Sequence, residues 1–182
     1  ERDHKFEKLL RKKFERDENG VVTHHPVRVT GGTETGGIAF IEGSGGGKTT
    51  AILDVLQNFA PLAENPETGL PRHLTVKVEA PATLRSLGVQ TLKKLGVDKV
   101  SDRARVFEIW DMVRFRLKKA GISLLWIDEA HDMFKSTSGA ETENMFKMLK
   151  GLMQGDHPVV LVLSGTERLS EITGLDPQVN RR

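Results

Sequence analysis

Two groups of residues in this chain have the types and spacing to do chemistry: Lys48 with Thr49 at the end of a glycine run, and the paired acids Asp128-Glu129. The first group closes the segment Glu42-Gly43-Ser44-Gly45-Gly46-Gly47-Lys48-Thr49-Thr50. Glycines allow positive φ angles, which turn backbone N–H groups inward around phosphate oxygens. A helix starting directly afterwards adds unpaired donors and a favourable dipole. In such a loop Lys48 reaches the β and γ phosphates and the Thr49 hydroxyl holds Mg²⁺. The expected nucleotide contacts are Gly43, Ser44, Gly45, Gly46, Gly47, Lys48, Thr49 and Thr50.

The motif G-x-x-x-x-G-K-[ST] has glycine where this chain has Glu42, and Gly43, one place later, can take the bend. A glycine cluster also suits a flexible linker. The flanks decide against that: apolar Ile38-Ala39-Phe40-Ile41 before the run, and helix-forming Ala51 to Leu56 after it.

The acids end an apolar run, Leu124-Leu125-Trp126-Ile127-Asp128-Glu129-Ala130-His131. At such a strand tip Asp128 serves the Mg²⁺ shell, and Glu129 polarises the attacking water as general base. Hydrolysis needs both roles filled. His131 orients the carboxylates or caps a turn on this reading and stays outside the catalytic set. After the run Val159–Leu163 comes Ser164-Gly165-Thr166. A polar side chain there can sense the γ phosphate or position the water; Thr166 is the choice and Ser164 the alternate. No Asn-Lys-x-Asp segment for guanine occurs, which argues against GTP.

These sites need strands and helices in alternation. An amphipathic helix is expected over residues 3–17, with Phe6, Leu9, Leu10 and Phe14 on one face. His24-His25-Pro26 to Gly37 reads as a loop-like approach. Strands are expected at Ile38–Ile41, Leu74–Val78, Ser123–Ile127 and Val159–Leu163, with a surface connection from Pro61 to Arg72. Helices follow the glycine loop to about Phe59, run from Leu84 to Leu95, start at a Ser101-Asp102 cap and end near Gly121, and lie around Met145–Leu152. The pattern predicts an α/β fold, a P-loop NTPase of three α/β/α layers with a mostly parallel sheet. Residues 1–20 form an N-terminal helical segment and 21–182 the α/β core. Ligands in such sheets sit at the carboxyl ends of the strands.

The 182 residues suffice for one such domain, and 37% hydrophobic with 29% charged residues is ordinary for a soluble protein. With no cysteine, disulfides and thiolate metal sites are excluded; no apolar run suits a membrane span or signal peptide, so a cytoplasmic protein is expected. Net charge is only +2, although basic residues crowd positions 5–16 and 114–119. A polyanionic partner and a solvated helix face explain those clusters equally well. The chain starts without methionine inside a helical pattern and stops at Arg181-Arg182, as expected of a trimmed version of a longer protein.

In order, these segments resemble the AAA+ ATPases of DNA transposition, the TniB, TnsC and MuB group, with TniB and TnsC nearer. The likeness rests on Gly-x-Gly-Lys-Thr-Thr, on Leu124 to His131, and on Val160 to Leu169 with its Gly-Thr-Glu-Arg-Leu run. It continues through Leu175-Asp-Pro-Gln-Val-Asn-Arg-Arg182 and covers roughly residues 27–182. The resemblance implies an ATP- and Mg²⁺-dependent ATPase that assembles as a ring or filament on double-stranded DNA and recruits or activates a transposase. It implies that Arg182, with Arg181 beside it, enters a neighbour's site, and that DNA backbone contacts come from Arg85, Lys99, Ser101 and Arg103. It also implies that the small helical lid of an AAA+ module is absent from this chain. Two alternatives stay open: an AAA+ machine of the secretion or replication-loading type, and an ATP-gated assembly module with little turnover.

Overall fold

The computed structural model describes residues 2–29, 31–32, 34–41, 47–80, 82–135, 138–167 and 169. Its centre is a four-stranded sheet of β3 (Gly37–Ile41), β4 (His73–Lys77), β5 (Leu124–Asp128) and β6 (Val160–Gly165). The spatial order is β3-β6-β5-β4, and every pairing is parallel. From β3 the chain crosses to the far edge at β4, then returns strand by strand until β6 lies beside β3.

The two central strands show why the sheet is buried on both sides. Leu124, Trp126, Val160 and Val162 point into one core, shared with α2 (Lys48–Asn58). Leu125, Ile127, Leu161 and Leu163 point into the other, shared with α3 (Leu84–Lys94), α4 (Val106–Ala120) and α5 (Gly139–Leu152). This is the two-residue alternation of a strand with both faces covered, so the apolar runs are unbroken. Each such side chain taken wholly from water contributes about 1.5–3 kcal/mol. The result is the three-layer α/β/α arrangement expected from the sequence.

The N-terminal segment departs from expectation. Helix α1 covers Arg2–Arg11, not residues 3–17, and Phe14 opens a strand, β1 (Phe14–Arg16). β1 pairs antiparallel with β2 (Val22–Pro26), which takes up the His-His-Pro stretch expected to be loop. Tertiary contacts outweigh helical period here. Phe6, Leu10, Phe14 and Val22 all enter the same core as Ile52, Leu56 and Trp126, and the Asp17 carboxylate accepts from Asn19 N and Val21 N at 2.9 Å to close the hairpin turn.

Helix α4 also starts later than expected. Its cap is not Ser101-Asp102; Arg105 N donates to Glu108 Oε2 at 2.7 Å instead, and the helix begins at Val106. Ser138 caps α5 with Glu141 in a reciprocal pair, Glu141 N to Ser138 Oγ at 3.3 Å and Ser138 N to Glu141 Oε2 at 3.0 Å. Among the described residues no helix is long and apolar enough to cross a membrane.

Candidate nucleotide site

Asp128 ends β5 with its side chain 4% exposed and its carboxylate surrounded by donors. Oδ1 accepts from Ser164 Oγ at 2.7 Å and from Glu129 N at 2.9 Å, and Oδ2 accepts from Thr49 Oγ1 at 3.1 Å. Ser164 in turn accepts from Trp126 Nε1 at 2.6 Å. A buried carboxylate costs too much without such partners, and these three donors hold it aimed at the start of α2. Thr49 and Asp128, 79 positions apart in sequence, are thereby brought together.

Gly47 enters α2 at φ 74°, a left-handed conformation that a side chain would strain, and a Cβ there would meet nothing within 4 Å. The first turn of α2 carries no acidic residue and no side-chain cap at Gly47, so its N–H groups stay available to an anion. Lys48 is 6% exposed at the first helical position, Thr49 is half-buried, and Thr50 is exposed. The donor set around Thr49 and Asp128 is oxygen only, which fits Mg²⁺: the threonine hydroxyl keeps its lone pairs, and among the described residues Asp128 Oδ2 accepts one bond. Glu42, Gly43, Ser44, Gly45 and Gly46 lie outside the described residues, as do Arg181 and Arg182.

Beyond Asp128 the chain turns sharply. Glu129 has φ 55°, the one positive value for a non-glycine among the described residues, and it leads into a 3-10 turn over Ala130–Phe134. The turn carries His131 back between the two strand tips. Its Nε2 lies 3.3 Å from Glu129 Oε2 and 3.7 Å from Asp132 Oδ1, while Nδ1 accepts from Thr166 N at 3.2 Å. Asp132 is also paired with Lys135 at 3.1 Å.

The expected alternatives at the β6 tip therefore do different things. The Ser164 hydroxyl is fully buried and engaged on both sides, between Trp126 and Asp128. Thr166 presents a partly exposed side chain and uses its backbone on His131. Two contributors were missed in the sequence, Trp126 and Gly165; His131, expected to orient the carboxylates or cap a turn, also contacts Thr166 after β6. Strand pairing sets Leu163 opposite Ile127, which carries Ser164 on to the end of Asp128, so that contact follows from register. The His131 contact follows from the 3-10 turn, for which the sequence offers no periodic signal.

The expected DNA contacts are only partly free. Arg85 is half-buried and donates to the Ala104 carbonyl and, at 3.0 Å, to the Ser101 carbonyl, holding the loop between α3 and α4. Ser101 Oγ accepts from Arg103 N at 3.2 Å within that loop. Lys99 and Arg103 are exposed. A groove beside them is lined by Thr83, Arg85, Ser86, Lys93, Lys94 and Asp102 among others. The basic clusters are partly paired as well, Arg11 with Glu7 at 2.8 Å and Arg114 with Asp111 at 3.4 Å.

A family model described as bacterial TniB protein matches residues 34–182. No protein of curated function matches the chain. Among solved structures, the Aeropyrum pernix ORC1 protein in complex with DNA superimposes with a TM-score of 0.64 at 16% identity, covering 100% of this chain and 43% of that one. At that identity the likeness is one of fold alone, and the chain spans less than half the length of that relative.

Proposed function

The chain belongs to the bacterial TniB family, and on that premise we propose that it binds ATP with Mg²⁺, hydrolyses it, and regulates DNA transposition as an assembly on double-stranded DNA. The observation that carries the hydrolytic part is the 3.1 Å contact between Thr49 and Asp128, with Glu129 next in sequence and pointed elsewhere. Backbone donors at the start of α2 and the Lys48 ammonium hold the phosphates, and the sequence motif adds Gly43 to Gly46 to the nucleotide contacts. Bound Mg²⁺ would offset the phosphate charge. Thr49 and Asp128 supply oxygens for it, and Ser164 keeps Asp128 in place. Glu129 takes the proton of the attacking water. Thr166, which follows β6, senses the γ phosphate.

Family membership supports the finer parts. Arg182 acts in trans on a neighbour's nucleotide, which makes turnover depend on assembly. Lys99 and Arg103 touch DNA phosphates without reading bases, while Arg85 and Ser101 shape the loop that presents them. Transposase is the partner, and the cytoplasm the setting.

Phosphate release measured with and without duplex DNA tests this reading. Glu129→Gln is expected to keep ATP binding and to lose turnover by roughly a hundred- to ten-thousandfold, the range of a general base. Equal release from both proteins removes Glu129 as the base and leaves an ATP-gated assembly module. No DNA binding in the presence of an ATP analogue sinks the assembly on DNA.

A further inference from the structure

The mechanism above leaves His131 unused, yet this residue joins the turn after β5 to the segment that leaves β6. Its ring stands between Glu129 on the turn after β5 and Thr166 at the end of β6, 3.3 Å from the carboxylate and 3.2 Å from the backbone N–H. The contacts fix the tautomer. Nδ1 accepts a backbone N–H and so carries no proton in the neutral ring, which puts the proton on Nε2, facing Glu129 Oε2.

A second observation shows that the fold makes room for this ring. A Cβ built on Gly165 would lie 2.8 Å from His131 Nδ1 and 3.3 Å from its backbone nitrogen. Any side chain at 165 would push the imidazole off Thr166. The ring is also held tightly, at 10% side-chain exposure against 30% for Glu129. Glu129 itself has a strained φ of 55° and depends on neighbours for its aim.

We propose that His131 is a positioning residue that ties the Glu129 carboxylate to the β6 tip, so that the base is aimed only when Thr166 is in place. The inference rests on the hydrolytic reading above, and it assigns His131 no proton transfer. Thr166 and Glu129 then form one unit: what displaces the strand tip displaces the base.

Three substitutions separate the ring's two nitrogens from its bulk. His131→Gln offers a donor near Nε2 and no acceptor at Nδ1; His131→Asn does the reverse. Gly165→Ala changes no functional group and dislodges the ring. All three are expected to bind a fluorescent ATP analogue as the unmodified chain does. Turnover should fall roughly ten- to a hundredfold in His131→Asn and Gly165→Ala, the cost typical of losing an orienting partner, and less in His131→Gln. In a Glu129→Gln background His131→Asn should cost nothing further, because both changes remove one function.

Full turnover in His131→Asn overturns the proposal. So does a loss of nucleotide affinity equal to the loss of turnover, which marks a purely structural role. Amide exchange by NMR supplies a readout that needs no turnover: the Thr166 N–H should exchange slowly, faster in His131→Gln and unchanged in His131→Asn. A Thr166 amide indifferent to both overturns the link directly. A chain with the protected amide that hydrolyses no ATP, with or without DNA, overturns the hydrolytic reading and the role built on it, so the two failures are told apart.

Discussion

Glu129 holds a backbone angle of 55° that costs a side-chain-bearing residue about 1–2 kcal/mol. The strand explains why the cost is tolerated. Glu129 N reaches back to Asp128 Oδ1 at 2.9 Å, and the chain then turns at once into Ala130–Phe134. Glycine would sit there without strain, so backbone stability alone does not favour a carboxylate at this position. Glu129→Gly is therefore expected to raise stability by about 0.5–1 kcal/mol, after the extra freedom of glycine in the unfolded chain is subtracted. The same substitution should abolish hydrolysis. Glu129→Ala removes the carboxylate but keeps the strained angle, and should show no such gain. Urea unfolding of the two variants separates the effects, and equal midpoints would rule strain out.

At the scale of elements, α3 and α4 show how close packing overrides local preference. Gly88 lies inside α3, where alanine would favour the helix by about 1 kcal/mol. Yet a Cβ on Gly88 would stand 2.7 Å from Ile109 Cγ2 and 3.1 Å from Trp110 Nε1. Ile109 is wholly buried, and Trp110 is anchored by its 3.0 Å bond to the Leu84 carbonyl, so neither can retreat. Overpacking of this kind costs about 1–3 kcal/mol, and Gly88→Ala should lower the urea midpoint despite its better helix propensity. A raised midpoint would mean that the two helices separate easily. The same competition sets what was legible in the sequence. β5 and β6 were legible because a strand buried on both faces reads as an unbroken apolar run. The end of α1 was not, because Phe6, Leu10 and Phe14 keep the four-residue spacing of a helix while Phe14 already belongs to the hairpin. In the site, the residue types singled out Thr49 and Asp128, whereas the Ser164 contact needed the register of β5 on β6. The His131 link required a 3-10 turn that no periodicity announces.

For the molecule as a whole, the N-terminal hairpin and the approach to β4 meet at a seam whose charges make folding sensitive to acid. Burial holds His24 in β2 below its ordinary value of 6.5, with the Arg72 guanidinium and neighbouring His25 acting in the same direction. Burial alone does the same to His73 at the start of β4. The folded protein thus resists protonation that the unfolded chain accepts. Above pH 6.5 both states hold these rings neutral, and nothing is lost. As pH falls below that value the unfolded chain binds more protons, so stability declines until the folded values are passed. Asp156 works in a separate window: its bond to Lys118 lowers it from 3.8, so its contribution is lost only in stronger acid. The urea midpoint should therefore drop between pH 7.5 and 5.5, and the drop should shrink in a His24→Gln, His73→Gln double variant. Hydrogen exchange should show β1 and β2 opening first, since protonating His24 gathers positive charge against Arg72 where the hairpin docks. Midpoints that fall equally in the double variant would place the acid sensitivity elsewhere in the fold.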